Sequence, residues 1–211
     1  MARPKTGPGD WKPSEGGRPP DPKYVSFKLA HPDYADDAEL VPSDRLADAL
    51  WKQWRAVEED SDQCVVLQLS FKGLRGVKPA AVTECLVYFL GGVIVGLRPF
   101  YVVFEDIGDE SIWTSLGDRL NRAGLIALAN QAALLEGRKV RVRDSTYKLI
   151  GDYATVDRCE DYWYALAAEK DWVKGGIFAA QKGMPPAIMN KMYDQGVALK
   201  AKNKSLFRAP V

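Results

Sequence analysis

Short apolar segments alternate with amphipathic segments through the middle of this chain, and this alternation restricts its fold more than any other feature. The runs QCVVLQLSF (63–71) and FYVVFEDI (100–107) have the Val- and Leu-rich composition of strands that are buried on both faces. The segments between such runs carry apolar residues at helical spacing. Strands separated by helices of about ten to fifteen residues are typical of βαβ units. The sequence therefore predicts an α/β fold with a mostly parallel or mixed sheet.

Local signals predict where individual elements of this body begin and end. Ser43 is suited to cap a helix within 43–60. Pro79 is suited to begin a second helix, which Gly91 and Gly92 are expected to end. The other expected elements are a strand at 24–30, a helix over 109–124, a strand at 125–130 and a hairpin over 139–153 that turns at Asp144-Ser145.

Charge divides the chain into two regions of opposite sign. Residues 24–169 hold 16 basic and 23 acidic residues, a net charge of −7, whereas residues 170–211 hold eight basic and two acidic residues, a net charge of +6. The near-neutral total of +1 conceals this difference. Because a polyanion is attracted to one region and repelled by the other, the basic end is the part expected to meet nucleic acid.

Several classes of protein are disfavoured by composition. The longest apolar run is short and interrupted by glycine, so no membrane span is expected. Residues 1–23 are polar, rich in Pro and Gly and without an apolar centre, which predicts a disordered tail rather than a signal peptide. The three cysteines, an odd number in apolar surroundings, favour a reducing, cytoplasmic location over a disulfide framework.

Catalytic patterns are scarce. His31 has no second histidine or cysteine nearby, so we expect a surface histidine, with no metal and no cofactor. The phosphate-cradling glycine motifs and the GxSxG motif are missing as well. The pairs Glu105-Asp106 and Asp109-Glu110 follow a strand end, where α/β sheets bind ligands, and leave open a metal or phosphotransfer site. They equally suit the acidic start of the next helix, and we predict that the protein is not an enzyme.

The segments CVVLQLSFKGLRGVKPAAVTECLVYFLG, PFYVVFEDI and SIWTSLGDRLNRAGLIALA together resemble the STAS-like domains related to bacterial anti-sigma-factor antagonists, over about 38–131. The resemblance implies that a strand, a loop and a helix N-terminus form a surface for a protein partner, near a phosphorylatable hydroxyl. Where that family carries Asp and Ser, this chain has Gln68 and the run Lys78-Pro79-Ala80-Ala81. Thr83 is the nearest hydroxyl to this position. The domain as a whole is expected to serve packing, dimerisation or contact with a partner.

The basic end shows its own order of elements. A helix is expected from about Thr155, followed by a weaker helical segment within 172–183 that contains two glycines. A third helix begins with Pro185 and stops at Gly196, and two alternating segments joined at Asn203-Lys204 predict a hairpin. In the third helix the apolar face is Ile188, Met189, Met192 and Tyr193, and the outward residues are Pro186, Ala187, Asn190, Lys191 and Asp194.

This order resembles a winged helix-turn-helix domain over about 161–208. The resemblance implies that the helix at 185–195 enters the major groove of duplex DNA, with Asn190 and Lys191 towards bases or backbone, and that the hairpin supplies phosphate contacts. The residues expected to contact DNA are Lys182, Ala187, Asn190, Lys191, Lys200, Lys202, Lys204 and Arg208.

Three parts are therefore expected: a tail at 1–23, a STAS-like α/β domain at 24–153 and a winged helix-turn-helix domain at 154–211. The predicted function is a DNA-binding regulator of bacterial or phage type, in which the body mediates dimerisation or contact with a regulatory partner. The alternative is a protein-interaction module of a signalling or defence system that binds no DNA.

Overall fold

The computed structural model describes residues 19–58, 62–96, 98–131, 140–142, 145–169, 171–201 and 206–211. The strands in chain order are β1 (Lys23–Lys28), β2 (Ala35–Asp36), β3 (Glu39–Leu40), β4 (Val65–Ser70), β5 (Gly76–Val77), β6 (Phe100–Ile107), β7 (Ile126–Gln131), β8 (Val140–Val142), β9 (Ser145–Gly151), β10 (Val173–Lys174), β11 (Leu199–Lys200) and β12 (Leu206–Arg208). The helices are α1 (Asp44–Arg55), a π-helical segment (Ala81–Val87) that runs directly into α2 (Tyr88–Val95), α3 (Glu110–Arg122), α4 (Tyr153–Ala168), α5 (Gly175–Gln181) and α6 (Pro186–Asp194).

A six-stranded mixed sheet forms the centre of the fold, in the order β1-β4-β6-β7-β9-β8. The first four of these strands are parallel, and each connection between them carries a helix. Strand β9 then pairs antiparallel with β7 and with β8. The expected mixed α/β fold is confirmed. The hairpin of β8 and β9 was also expected, but Ser145, which was expected in its turn, pairs with Val142 as part of β9. Asp144, the other expected turn residue, lies outside the described residues.

Helices α1, α2 and α3 cover one face of this sheet. Their apolar sides pack against strand residues that alternate along β4 and β6, and all of these side chains form one buried cluster. Alternation places neighbouring residues of a strand on opposite faces, so the other half of each strand must be covered from the other side. The cluster includes Leu46, Leu50, Leu67, Leu69, Leu86, Phe89, Val102, Phe104, Ile112, Leu116 and Leu120.

The C-terminal segment covers the opposite face. Trp163 of α4 is fully buried, and its indole Nε1 donates to the Val197 carbonyl at 3.0 Å, which ties α4 to the chain after α6. Burial of a whole tryptophan side chain typically stabilises a fold by about 3–5 kcal/mol relative to alanine. The cluster on this face includes Val66, Tyr101, Val103, Ile126, Leu128, Leu149, Cys159, Trp163, Leu166, Phe178, Met189, Met192 and Phe207.

The expected division at 153/154 therefore falls inside a shared core. Side chains of β4, β6 and β7 and side chains of α4 and α6 belong to the same cluster, and α4 begins at Tyr153 directly after β9. The division into domains stays a prediction. Of the expected tail, residues 1–18 lie outside the described residues, and Lys23 already pairs within β1.

One expected helix end is wrong. The second helix continues through Gly91 and Gly92 to Val95, and its C-cap is Gly96. A side chain at Gly92 would overlap the ring of Trp51 in α1. Glycine at this position allows α1 and α2 to approach closely. The packing between the two helices offsets the cost of glycine in a helix interior, which is about 1 kcal/mol relative to alanine.

Other local signals are confirmed. The Ser43 hydroxyl accepts a hydrogen bond from the Leu46 N–H, as an N-cap should. Helix α4 begins about two residues before the expected Thr155, because Asp152 accepts the Thr155 N–H at 3.1 Å. Gly196 follows α6 with a φ of 72°, the left-handed conformation expected after a helix.

We predict that Gly151→Ala destabilises the protein. Gly151 links β9 to α4 with a φ of 119°, and a Cβ there would collide with the Leu125 carbonyl oxygen. Strain of this kind costs on the order of 2–4 kcal/mol. Urea unfolding followed by tryptophan fluorescence measures the loss.

Gly117→Ala in α3 is the matched control, because a Cβ at this residue would have no heavy atom within 4 Å beyond its own helix backbone. It should stabilise the protein by about 0.5–1 kcal/mol through helix propensity. Equal stability of the two variants would contradict the assignment of strain to Gly151.

Candidate nucleic-acid interface

The C-terminal part, from α4 to β12, folds as helix, strand, two helices and two strands. Strands β10, β12 and β11 form a small antiparallel sheet in that spatial order. Strand β12, the last in the chain, lies in the middle and pairs with both β10 and β11. Gly175 begins α5, and a Cβ at this residue would lie 2.6 Å from the Phe207 ring. The glycine that weakens the helical signal is what allows α5 to pack against β12.

Helix α6 has one buried side and one exposed side. Met189 and Met192 are buried, whereas Ala187, Asn190 and Lys191 are exposed. Tyr193, expected on the apolar side, is 37% exposed. The structure thus places three of the expected contact residues together on the outer surface of a helix whose inner surface is held by the core.

Lys182 and Lys200 are the other lysines among the expected contact residues that the structure describes. The Lys182 Nζ is 3.5 Å from a Glu169 carboxylate oxygen, and both side chains are partly exposed. The Lys200 Nζ lies 5.0 Å from the centre of the Tyr193 ring and 5.6 Å from that of Phe207. Aromatic rings hold an ammonium group in place without neutralising its charge. Lys200 therefore remains available to an anion.

Arg208 is placed differently from the expected phosphate contact. Its Nη1 lies 2.7 Å from the Asp21 carboxylate, and its side chain is only 13% exposed. The ion pair forms because β12 lies beside the segment that leads into β1. Lys202 and Lys204 lie outside the described residues.

A cluster of polar side chains around Glu105 lies within the large sheet, at the carboxyl ends of its parallel strands. The Glu105 carboxylate accepts hydrogen bonds from Gln68 at 3.1 Å, from Asn130 at 2.9 Å and from the Tyr147 hydroxyl. Burial raises the pKa of Glu105 above its usual range, although these hydrogen bonds act in the opposite direction. Three donors from three strands make this carboxylate a cross-strand link.

The neighbouring carboxylates serve other purposes. Asp106 has a φ of 58° where the β6–β7 register shifts, and it accepts the Ser70 hydroxyl at 2.7 Å. Asp109 caps α3 by accepting the Ser111 N–H at 2.8 Å, and hydrogen bonds from Ser111 lower its pKa. Within the described part of the chain, no group of three or more His, Cys, Asp or Glu side chains is arranged to hold a metal ion.

The sequence alone points to Glu105 but not to its partners. Gln68 and Asn130 are single polar residues near the ends of apolar strands, and the strand register brings them to the same end of the sheet as Glu105. Isolated polar residues at equivalent ends of successive strands are the signal that could have predicted the cluster.

The remaining candidate groups are ordinary in their surroundings. His31 is exposed, and its Nδ1 accepts the Asp33 N–H at 3.2 Å. The Thr83 hydroxyl donates to the Pro79 carbonyl one turn earlier at 3.0 Å. All three cysteines are buried as free thiols, and burial raises the pKa of Cys64 to about 12, so its thiolate is scarce at neutral pH.

No protein-family model matches this chain, no curated protein is significantly similar to it, and no solved structure matches it significantly. Among the described helices, none combines the length and the apolar character that crossing a membrane requires.

We predict a specific pH dependence from Glu105. A carboxyl whose pKa is raised by folding contributes its full stability below the unfolded value of 4.5, and that contribution is lost as the pH rises through the folded value. The free energy of unfolding of the wild type, relative to Glu105→Gln, should therefore fall as the pH rises above 4.5. Urea titrations at a series of pH values measure this difference.

Asp109→Asn provides a control of opposite sign. Folding lowers the pKa of Asp109, so the stability it contributes is present above the unfolded pKa and is lost as the pH falls. A Glu105 difference that is constant or that grows with pH would overturn the prediction.

Proposed function

We propose that the protein is a DNA-binding regulator whose C-terminal part, from α4 to β12, is a winged helix-turn-helix. The observation that carries the proposal is the order of helix, strand, two helices and two strands, closed by the pairing of β10 with β12. In winged domains this arrangement presents the last helix to the major groove and the connection between the last two strands to the backbone. Here those elements are α6 and the β11–β12 connection.

Charge supports the same assignment. Lys191 on α6 is exposed and Lys200 on β11 is partly exposed, and in the sequence Lys202 and Lys204 stand between β11 and β12. Arg208 is neutralised by Asp21. About four phosphate contacts by lysine give a slope of roughly −4 for the logarithm of affinity against the logarithm of salt concentration.

Lys191→Ala should weaken binding of the full chain to a mixed-sequence duplex and reduce the salt slope by about 1, because one phosphate contact is lost. Asn190→Ala should instead cost about 1–3 kcal/mol on a selected target and relax its sequence preference. Fluorescence anisotropy with labelled duplexes at several salt concentrations measures both effects.

Lys52→Ala is the matched control for this experiment. Lys52 is an exposed lysine on α1, on the opposite side of the large sheet, and its removal changes the charge equally. The full chain is used because the C-terminal part shares its core with that sheet. Absence of binding at low salt, or binding that ignores salt, would remove the proposal.

For the body, we propose a STAS-like domain that dimerises or binds a regulatory protein. Tyr88 and Val95 support this role, because they are 71% and 82% exposed and lie two turns apart on one side of α2. Large apolar side chains exposed together often mark an interface. This surface is also the observation that favours the alternative, a protein-interaction module that works without DNA.

The Tyr88→Ser and Val95→Ser double variant should sediment as a single chain if the wild type sediments as a dimer through this surface. Analytical ultracentrifugation of both proteins makes the comparison. A Tyr153→Ser variant is the control, since Tyr153 is a comparably exposed tyrosine on α4. A double variant that still dimerises would exclude α2 as the dimer contact.

A further inference from the structure

A cavity of about 350 Å³ lies between α3 and α4, beside the last residues of β9. It is lined by α3 through Trp113, Gly117 and Asp118, by α4 through Tyr153 and Glu160, and by residues 148–151 of β9. Sites for small molecules typically have volumes of about 300 Å³ or more. The α3–α4 cavity therefore has the size of a site for a small ligand.

Contacts within the protein hold the two helices together at one end of this cavity. The Tyr153 N–H donates to the Asn121 side-chain oxygen at 3.1 Å, and the Tyr153 hydroxyl donates to the Asp118 carboxylate at 3.2 Å. Gly151, which has no room for a side chain, leads β9 into α4 two residues earlier. The first turn of α4 is thus fixed against α3, and the fold itself sets the width of the cavity.

The lining combines aromatic residues with a negative charge. Trp113 is partly buried and Tyr153 is 63% exposed. Three of the lining residues carry charge, namely Asp118, Lys148 and Glu160, and their sum is −1. The Glu160 carboxylate is held in place by the Tyr164 hydroxyl, which donates to it at 3.1 Å. Aromatic faces and carboxylates both attract a cation, so the cavity favours a positively charged ligand.

Gly117 leaves part of the space between the helices unfilled. A Cβ at this residue would have no heavy atom of the described residues within 4 Å beyond its own helix backbone. Packing therefore does not require glycine here, although glycine inside a helix costs about 1 kcal/mol relative to alanine. A larger side chain at this position would take up space that the cavity now offers.

We propose that the α3–α4 cavity binds a small organic ammonium ion of about the size of choline. Trp113 and Tyr153 contact its alkyl groups, and the carboxylates of Asp118 and Glu160 balance its charge. Recognition of quaternary ammonium groups by aromatic side chains uses the same attraction. The inference is independent of DNA binding, because none of the residues that line the cavity belongs to α6, β11 or β12.

The first test compares choline with 3,3-dimethylbutan-1-ol, a neutral molecule of the same shape, by titration of the ¹⁵N-labelled full chain. Choline should shift the amide signals of residues 113–118 and 148–151. It should also bind at least about fivefold more tightly than the alcohol, as one cation–aromatic contact implies. Equal affinities, or shifts confined to other residues, would overturn the proposal.

The second test removes the negative charges one at a time. Asp118→Asn and Glu160→Gln each keep an oxygen that can accept the tyrosine hydroxyl, so they change the charge more than the structure. Each should weaken choline binding by about fivefold or more and leave binding of the alcohol unchanged. Asp48→Asn, an exposed residue of α1, is the matched control and should have no effect on either.

The third test fills the cavity without disturbing the core. Gly117→Leu places a good helix former where the surroundings are open, so the variant should fold and should lose the choline-dependent shifts. Gly176→Leu is the control, because Gly176 of α5 is a helical glycine with equally open surroundings away from the cavity. Choline binding that survives Gly117→Leu would exclude the cavity as the site. Duplex binding by the wild type is measured separately, so either proposal can fail alone.

Discussion

Burial of both faces of the central strands is the constraint on which the rest of the structure depends. Val66 and Val103 face one side of the sheet, and Leu67 and Phe104 face the other. Both faces are therefore apolar, and each must be covered by other elements of the chain. Helices α1 to α3 cover one face. The C-terminal part, which could have been a separate module, supplies the second cover through Trp163 and its neighbours.

This use of the C-terminal part determines which of its surfaces remain exposed. Because α6 turns Met189 and Met192 towards the core, Asn190 and Lys191 lie on the outside. A hydrophobic requirement thereby turns the polar side of α6 towards solvent. The ion pair between Asp21 and Arg208 acts similarly at the other end of the chain, since it places the start of β1 beside the strands of the small sheet.

Signals within a few residues of one another predicted the structure well. Ser43 and Gly196 mark helix ends because the groups they satisfy belong to the same helix. The prediction that a helix ends at Gly92 was wrong, because the Trp51 ring that requires glycine there lies on another helix. Arg208 could not be assigned from sequence either, since Asp21 is 187 residues away.

The candidate site shows the same difference between features that neighbouring residues determine and features that depend on distant residues. Periodicity and charge by themselves determined that the chain is α/β, that its last forty or so residues are basic and that Asn190 and Lys191 lie on the outer side of a helix. Only the tertiary structure decided that this helix is held against the sheet, that Arg208 is paired and that Gln68, Asn130 and Tyr147 converge on Glu105. The reason is physical: helix caps and amphipathic faces are properties of neighbouring residues, whereas register, ion pairs and buried polar contacts join residues that only packing brings together.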